Sequence, residues 1–178
     1  MSEEQPQASK EDRPDYIVGL GASAGGLEAL EAFFRGMPTD TGMAFVVIQH
    51  LAPDFKSLMD DLLARHTTMA IYKAENEMPI KRNSIYLIQP KKEMMMEDGK
   101  LKLRDRSTSG GLNLPIDIFF NSLAEQAKKR AIAIIFSGTG SDGSRGIRSV
   151  HENGGLVLCQ SPESASFDGM PNAAIATG

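Results

Sequence analysis

A chain of 178 residues, 41% hydrophobic and 24% charged, has enough apolar content to bury the core of one ordinary soluble domain. Its net charge is −4, and residues 1–15 hold −3 of it, so the remainder is near neutral and offers no basic field for nucleic acid. The lone cysteine, Cys159, excludes an internal disulfide and a cysteine-based metal site, and no apolar run approaches the roughly 20 residues of a membrane span.

Residues 1–14 are rich in Ser, Glu, Gln, Pro, Lys and Asp and have little to bury. They are expected to form a disordered N-terminal tail, with 15–178 as the folded domain. The acidic start is no signal peptide, which makes a cytoplasmic setting the expectation. Residues 173–178 read as a helix end, as an excised domain of a longer protein would show.

Tyr16-Ile17-Val18-Gly19-Leu20 reads as a buried strand, and Gly21-Ala22-Ser23-Ala24-Gly25-Gly26 as the sharp turn that follows it. Leu27, Leu30, Phe33 and Phe34 then share one helical face, and Gly36 with Pro38 ends that helix. Ala44-Phe45-Val46-Val47-Ile48 is a second strand, ending in Gln49-His50. Asp54 is expected to cap a helix whose Phe55, Leu58, Met59, Leu62 and Leu63 fall at i, i+3, i+4, i+7 and i+8.

Residues 69–72 and 84–89 read as short strands. Residues 93–96 and 100–103 form a hairpin turning at Asp98-Gly99, which makes Met94-Met95-Met96 one side of a hairpin rather than a ligand-binding cluster. Pro115 opens a helix with Ile116, Phe119, Phe120 and Leu123 inward and Lys128, Lys129 and Arg130 at its dipole-negative end. Residues 131–136 are a strongly apolar strand leading into Ser137-Gly138-Thr139-Gly140-Ser141-Asp142-Gly143. A helix to about Glu152 and a strand, Leu156-Val157-Leu158-Cys159, complete the chain, and the Cys159 thiol is expected to be buried there. Strands alternating with helices predict an α/β fold: a doubly wound, mostly parallel sheet with helices on both faces, plus an antiparallel β-hairpin.

In such a sheet ligands sit outside the carboxyl ends of the strands, and all strands point the same way. Ser23, His50 and Asp142 each follow a different strand, so all three belong to one sheet edge. Their types suit acyl transfer. A serine hydroxyl needs a base to take its proton, histidine serves near neutrality, and a carboxylate fixes the imidazole tautomer. The Ala24 N–H and those of the 138–143 loop are candidate oxyanion donors. Taken singly, G-x-S-x-G is a weak signal in a chain with 17 glycines, and Asp142 could be a turn former. His66 and His151 read as surface residues.

A second class stays open. Gly19, Gly21 and Ala24 match the G-x-G-x-x-A form of a dinucleotide fingerprint, but Gln49-His50 stands where a ribose-binding acid belongs.

At these residues the chain resembles the CheB-type protein-glutamate methylesterases of bacterial chemotaxis. The matching stretches are Val18 through Gly26, Val47-Ile48-Gln49-His50, Ile116-Asp117-Ile118-Phe119-Phe120, Ser137 through Gly143, and Gly169-Met170-Pro171. The resemblance implies a Ser23, His50, Asp142 triad, needing no metal or other cofactor. It implies hydrolysis of glutamate methyl esters on chemoreceptor-type proteins, with related glutamine deamidation, and no nucleic-acid partner or membrane insertion. The 49–54 and 166–169 stretches look like the fused members, which carry flanking methyltransferase or sensor domains. Ala24 stands where many members have threonine and Thr139 where methionine is common; both can still donate a backbone N–H to an oxyanion. A catalytically inactive signalling or docking module is the alternative within the same resemblance.

Overall fold

Six strands assemble into a parallel sheet in the order β3-β5-β2-β1-β8-β9, in a computed structural model that describes residues 9–50, 58–107 and 109–178. These strands are β1 (Ile17–Ala22), β2 (Ala44–Gln49), β3 (Ala70–Lys73), β5 (Ser84–Leu87), β8 (Ala131–Ile135) and β9 (Leu156–Cys159). A second, three-stranded antiparallel sheet, β4-β7-β6, is built from β4 (Met78–Pro79), β6 (Lys92–Glu97) and β7 (Lys100–Asp105), and its Met94, Met96 and Leu101 join the same core as Phe119 and Phe120. The β6–β7 turn sits at Asp98 and Gly99, with φ of 49° and 74°. Positive φ at both positions is the geometry a two-residue Asp-Gly hairpin turn requires.

Among the described residues, five α-helices cover the parallel sheet: α1 (Gly26–Arg35), α2 (Met59–Leu63), α3 (Pro115–Ala127), α4 (Ser144–Glu152) and α5 (Gly169–Ile175). Alternation along β1 and β2 divides their side chains between the two faces. Val18, Leu20, Phe45 and Val47 pack with Leu30 and Phe34 of α1 and Met59 and Leu63 of α2. Ile17, Val46 and Ile48 pack with Phe119, Phe120 and Leu123 of α3, Ile147 and Val150 of α4, and Met170 of α5. The helix expected from Asp54 is seen as α2; Asp54 and Phe55 themselves lie outside the described residues, as do residues 1–8 of the expected tail. Residues 12–14 meet the domain: Arg82 N–H donates to the Asp12 carbonyl (2.9 Å) and Arg130 Nη1 to that of Pro14 (3.0 Å).

The α3 face of β1 carries Ile17, Gly19 and Gly21. A Cβ on Gly19 would lie 2.7 Å from the Phe120 ring, and one on Gly21 would lie 2.6 Å from Ile116 Cγ2. Two missing side chains therefore let α3 lie directly on the central strand. Fully burying Phe119, Phe120, Ile116 and Leu123 contributes about 1.5–3 kcal/mol each. That exceeds what any single cap supplies, so packing holds α3 down and its N-terminus is carried to the carboxyl edge of β1.

One expectation is corrected. Cys159 is exposed, because β9 is an edge strand paired only with β8 among the described residues. Val157 turns inward against the core, while Leu156 and Leu158 are about half exposed. An apolar run does not reveal whether a strand is central or at the edge. The short strand β4 has no signal in the sequence pattern, and α5 is the helix whose end is expected at 173–178.

Candidate active site

The parallel register of β1 and β2 pairs Ala22 with Gln49, so the next residues, Ser23 and His50, leave the sheet side by side. The His50 N–H donates to the Ala22 carbonyl (3.1 Å), and the Ser23 N–H donates to the Ser137 carbonyl (3.0 Å) at the end of β8. Three adjacent strands thus fasten the backbone on which the site is built.

Ser23 opens a tight turn. The Gly26 N–H returns to the Ser23 carbonyl (2.9 Å), and Gly25 has φ 71° and ψ 5°. Those angles, with no positive φ at Ala24, define a type II turn, which needs glycine at its third position. The Ser23 side chain is half-buried where α1 begins.

Asp142 arrives from the loop after β8 and reaches across the end of β1 to β2. Its Oδ2 lies 2.7 Å from His50 Nε2 and accepts the Ile116 N–H (3.0 Å), while its Oδ1 accepts the Asp117 N–H (2.9 Å). The carboxylate is 5% exposed and sits at the N-terminus of α3, where free N–H groups and the helix dipole favour negative charge. A carboxylate accepts, so Nε2 carries the ring proton and Nδ1 is left as the basic nitrogen. The His50 side chain is 32% exposed, and no hydrogen bond joins it to the Ser23 hydroxyl among the described residues.

Sequence reasoning missed two buried groups. Asp117, also 5% exposed, lies in the first turn of α3, and its Oδ1 accepts the Gly146 N–H at the start of α4 (2.7 Å). Burial pushes its carboxyl above the ordinary carboxylate range; the N–H groups of Gly146, Arg145 and Gly143 oppose that shift, and the neighbouring Asp142 charge adds to it. Ser137 is fully buried, and its hydroxyl donates to the Ala24 carbonyl (2.8 Å). An acid two residues after Pro115 was a visible signal of a helix start; nothing in the sequence shows that it is buried.

Among the described residues, no acceptor takes the N–H of Ala24 or Thr139. Thr139 is exposed beside the Ser23 turn, where Gly138 has no room for a side chain: a Cβ there would strike Met170 Sδ and come within 2.8 Å of Ser23 Cβ. His66 and His151 lie elsewhere. His66 Nε2 is 3.5 Å from Glu31 Oε1, and His151 is exposed near the end of α4. Among the described residues, no three His, Cys, Asp or Glu side chains gather as a metal-binding set. No helix there is long and apolar enough to cross a membrane.

A doubly wound α/β domain with a hydroxyl, an imidazole and a buried carboxylate on one sheet edge has the layout on which serine-hydrolase chemistry is built. The particular family follows from comparison with known proteins: the chain belongs to the CheB methylesterase family, whose model matches residues 18–178. It is 48% identical over 122 residues to an uncharacterized 104.1 kDa protein in the hypE 3′ region of Rhodobacter capsulatus, covering 67% of this chain and 12% of that protein. It is 29% identical over 159 residues to a putative protein-glutamate methylesterase/protein-glutamine glutaminase of Leptospira interrogans, covering 89% of this chain and 82% of the other. Among solved structures, the CheB methylesterase catalytic domain of Thermotoga maritima superposes with a TM-score of 0.81 at 27% identity, covering 90% of this chain and 87% of that one. The sheet and helices are those of that domain. The chain spans only about an eighth of the Rhodobacter protein's length.

Proposed function

We propose that this domain hydrolyses methyl esters of glutamate side chains on chemoreceptor-type proteins, with Ser23 as nucleophile, His50 as general base and Asp142 as the carboxylate that orients it. Ser23 Oγ attacks the side-chain carbonyl carbon while His50 Nδ1 takes the hydroxyl proton. The oxyanion is held by the N–H groups of Ala24 and Thr139. Collapse breaks the bond to methoxide, which leaves as methanol with the proton from His50. Water then attacks the acyl-enzyme, His50 takes its proton and returns it to Ser23, and the glutamate is released. The same steps on a glutamine side chain release ammonia, matching the second activity in the name of the Leptospira relative.

The observation that carries this reading is the 2.7 Å bond between His50 and Asp142, made by a carboxylate already held by two backbone N–H groups. An imidazole so oriented needs only a substrate to close the remaining gap to Ser23, and apo sites often tighten in that way. Ser23 and His50 are partly exposed and Thr139 is exposed at the carboxyl edge of the sheet. This suits a side chain offered on another protein. A cytoplasmic setting and flanking methyltransferase or sensor domains complete the proposal.

A fluorophosphonate probe should label Ser23 in the folded domain, and Ser23→Ala or His50→Gln should abolish labelling. Ser23→Ala that still releases methanol from methylated receptor at the wild-type rate would refute the assignment. The second reading is a docking module without activity, favoured by the unmade Ser23–His50 bond. A folded domain that the probe does not label would support it.

A further inference from the structure

Ser137 makes four hydrogen bonds at once, and all of them go to segments that frame the Ser23 turn. Its N–H donates to Gln160 Oε1 (2.8 Å), and its carbonyl accepts the Ser23 N–H (3.0 Å). Its hydroxyl accepts the Phe167 N–H (3.0 Å) and has two carbonyls within reach, that of Ala24 at 2.8 Å and that of Phe167 at 3.3 Å. One hydroxyl has one proton, and the shorter, Ala24 contact takes it. The side chain is fully buried, so no water substitutes for these partners.

The consequence lies in peptide geometry. Type I and type II turns differ by a half-rotation of the central peptide, here the one joining Ala24 to Gly25. A planar trans peptide points its C=O and N–H in opposite directions. Drawing the Ala24 carbonyl toward Ser137 therefore turns the Gly25 N–H away from it and fixes the type II form. Glycine at position 25 gives the hydroxyl its access: a Cβ there would lie 2.8 Å from Ser137 Oγ and 2.7 Å from Ser166 Cβ. Glycine also lowers the barrier to the alternative turn, because it accepts φ of either sign. The first peptide of the turn is held from within, by Gly26 N–H on the Ser23 carbonyl. Among the described residues, the second is held by Ser137 alone, just after β8.

We propose that Ser137 is a positioning residue: its hydroxyl locks the peptide after the nucleophile in one orientation, and its main chain ties that turn to the 138–143 loop. The two candidate oxyanion donors, Ala24 and Thr139, lie on the two segments Ser137 joins. This inference rests on the esterase reading of Ser23 for its kinetic consequence, whereas the lock itself does not depend on catalysis.

The test compares Ser137→Ala with Ser137→Thr, which keeps the hydroxyl. In Ser137→Ala the Gly25 amide resonance should double or broaden as the turn samples two forms. Fluorophosphonate labelling, measured well below the melting temperature, should slow about tenfold, and kcat for methanol release should fall equally with KM unchanged. Ser137→Thr should restore a single Gly25 resonance and most of the rate. A folded Ser137→Ala domain with one undisturbed Gly25 resonance and labelling within twofold of wild type overturns the proposal. Should Ser137→Ala fail to fold, Ser137→Cys keeps the volume and weakens the donor, and is read by the same two outcomes. A wild-type domain that is never labelled, with Gly25 still doubling in Ser137→Ala, sinks the esterase reading and leaves the lock standing.

Discussion

Asp117 and Asp142 each stand at the start of the other's helix. Asp142, just before α4, accepts the N–H groups of Ile116 and Asp117 in α3; Asp117, in α3, accepts the N–H of Gly146 in α4. Each carboxylate answers donors that a helix terminus leaves without partners. The exchange also explains how a loop aspartate is aimed at His50: its position is dictated by α3, which lies on the central strand.

Asp117 should therefore leave a signature in stability against pH. Burial raises its folded pKa, so the folded chain binds this proton more tightly than the unfolded chain. The stability it contributes is full below the unfolded value, about pH 4, and is lost as pH rises through the raised folded value. Asp117→Asn removes that proton linkage. Denaturant titrations from pH 4 upward should show the wild-type advantage over Asp117→Asn shrinking as pH rises. An advantage that grows over that range would contradict the assignment.

Removing the carboxylate from the His50 partner should hurt catalysis far more than folding. Asp142→Asn keeps the shape but presents the wrong hydrogen-bonding group to the imidazole, and the expected loss in kcat is about 10⁴-fold. Its stability cost should be about 1–3 kcal/mol, since one of the two α3 donors loses its acceptor. Steady-state methanol release and urea melts separate the two effects. A loss in kcat below tenfold would mean that Asp142 does not orient the base.

The contact between α3 and α4 depends on Gly146. A Cβ there would strike Phe120 Cβ and approach Asp117 Cα to 3.3 Å. Overpacking costs about 1–3 kcal/mol and alanine's better helix propensity returns about 1, so Gly146→Ala should destabilise by about 1–2 kcal/mol, toward the upper end of the net range because the contact is so close. Unchanged or increased stability in a urea melt would show that the helices can separate freely.

Cys159 should react in the native state. With one cysteine in the chain and that residue exposed, a thiol reagent such as DTNB should titrate one group per chain without denaturant. Reaction only after unfolding would contradict the edge position of β9.

Much of this molecule was legible one residue at a time. The strand runs, the Asp98-Gly99 turn, the inward face of α3 and the order Ser23, His50, Asp142 all follow from local periodicity and glycine placement. Parallel strands share a direction, so three residues after three strands had to share an edge. The Ala22–Gln49 register then sets Ser23 beside His50. The burial of Asp117 and Ser137 was not legible, because it depends on which distant segments arrive beside them. The same limit explains Cys159, since a strand's exposure is decided by its neighbours and not by its own composition.

Local propensity and pattern alone determined that this chain builds a wound α/β domain with a glycine turn holding a serine at a strand end. Only the tertiary structure decided that Asp142 spans β1 to meet His50, that two aspartates exchange helix termini, and that Ser137 reaches Ala24. Those contacts join residues at least 25 positions apart, 92 for the His50–Asp142 pair and 113 for Ser137 and Ala24. The contacts made through α3 are possible because Gly19 and Gly21 let that helix lie directly on β1, a packing distance written in no single stretch of sequence.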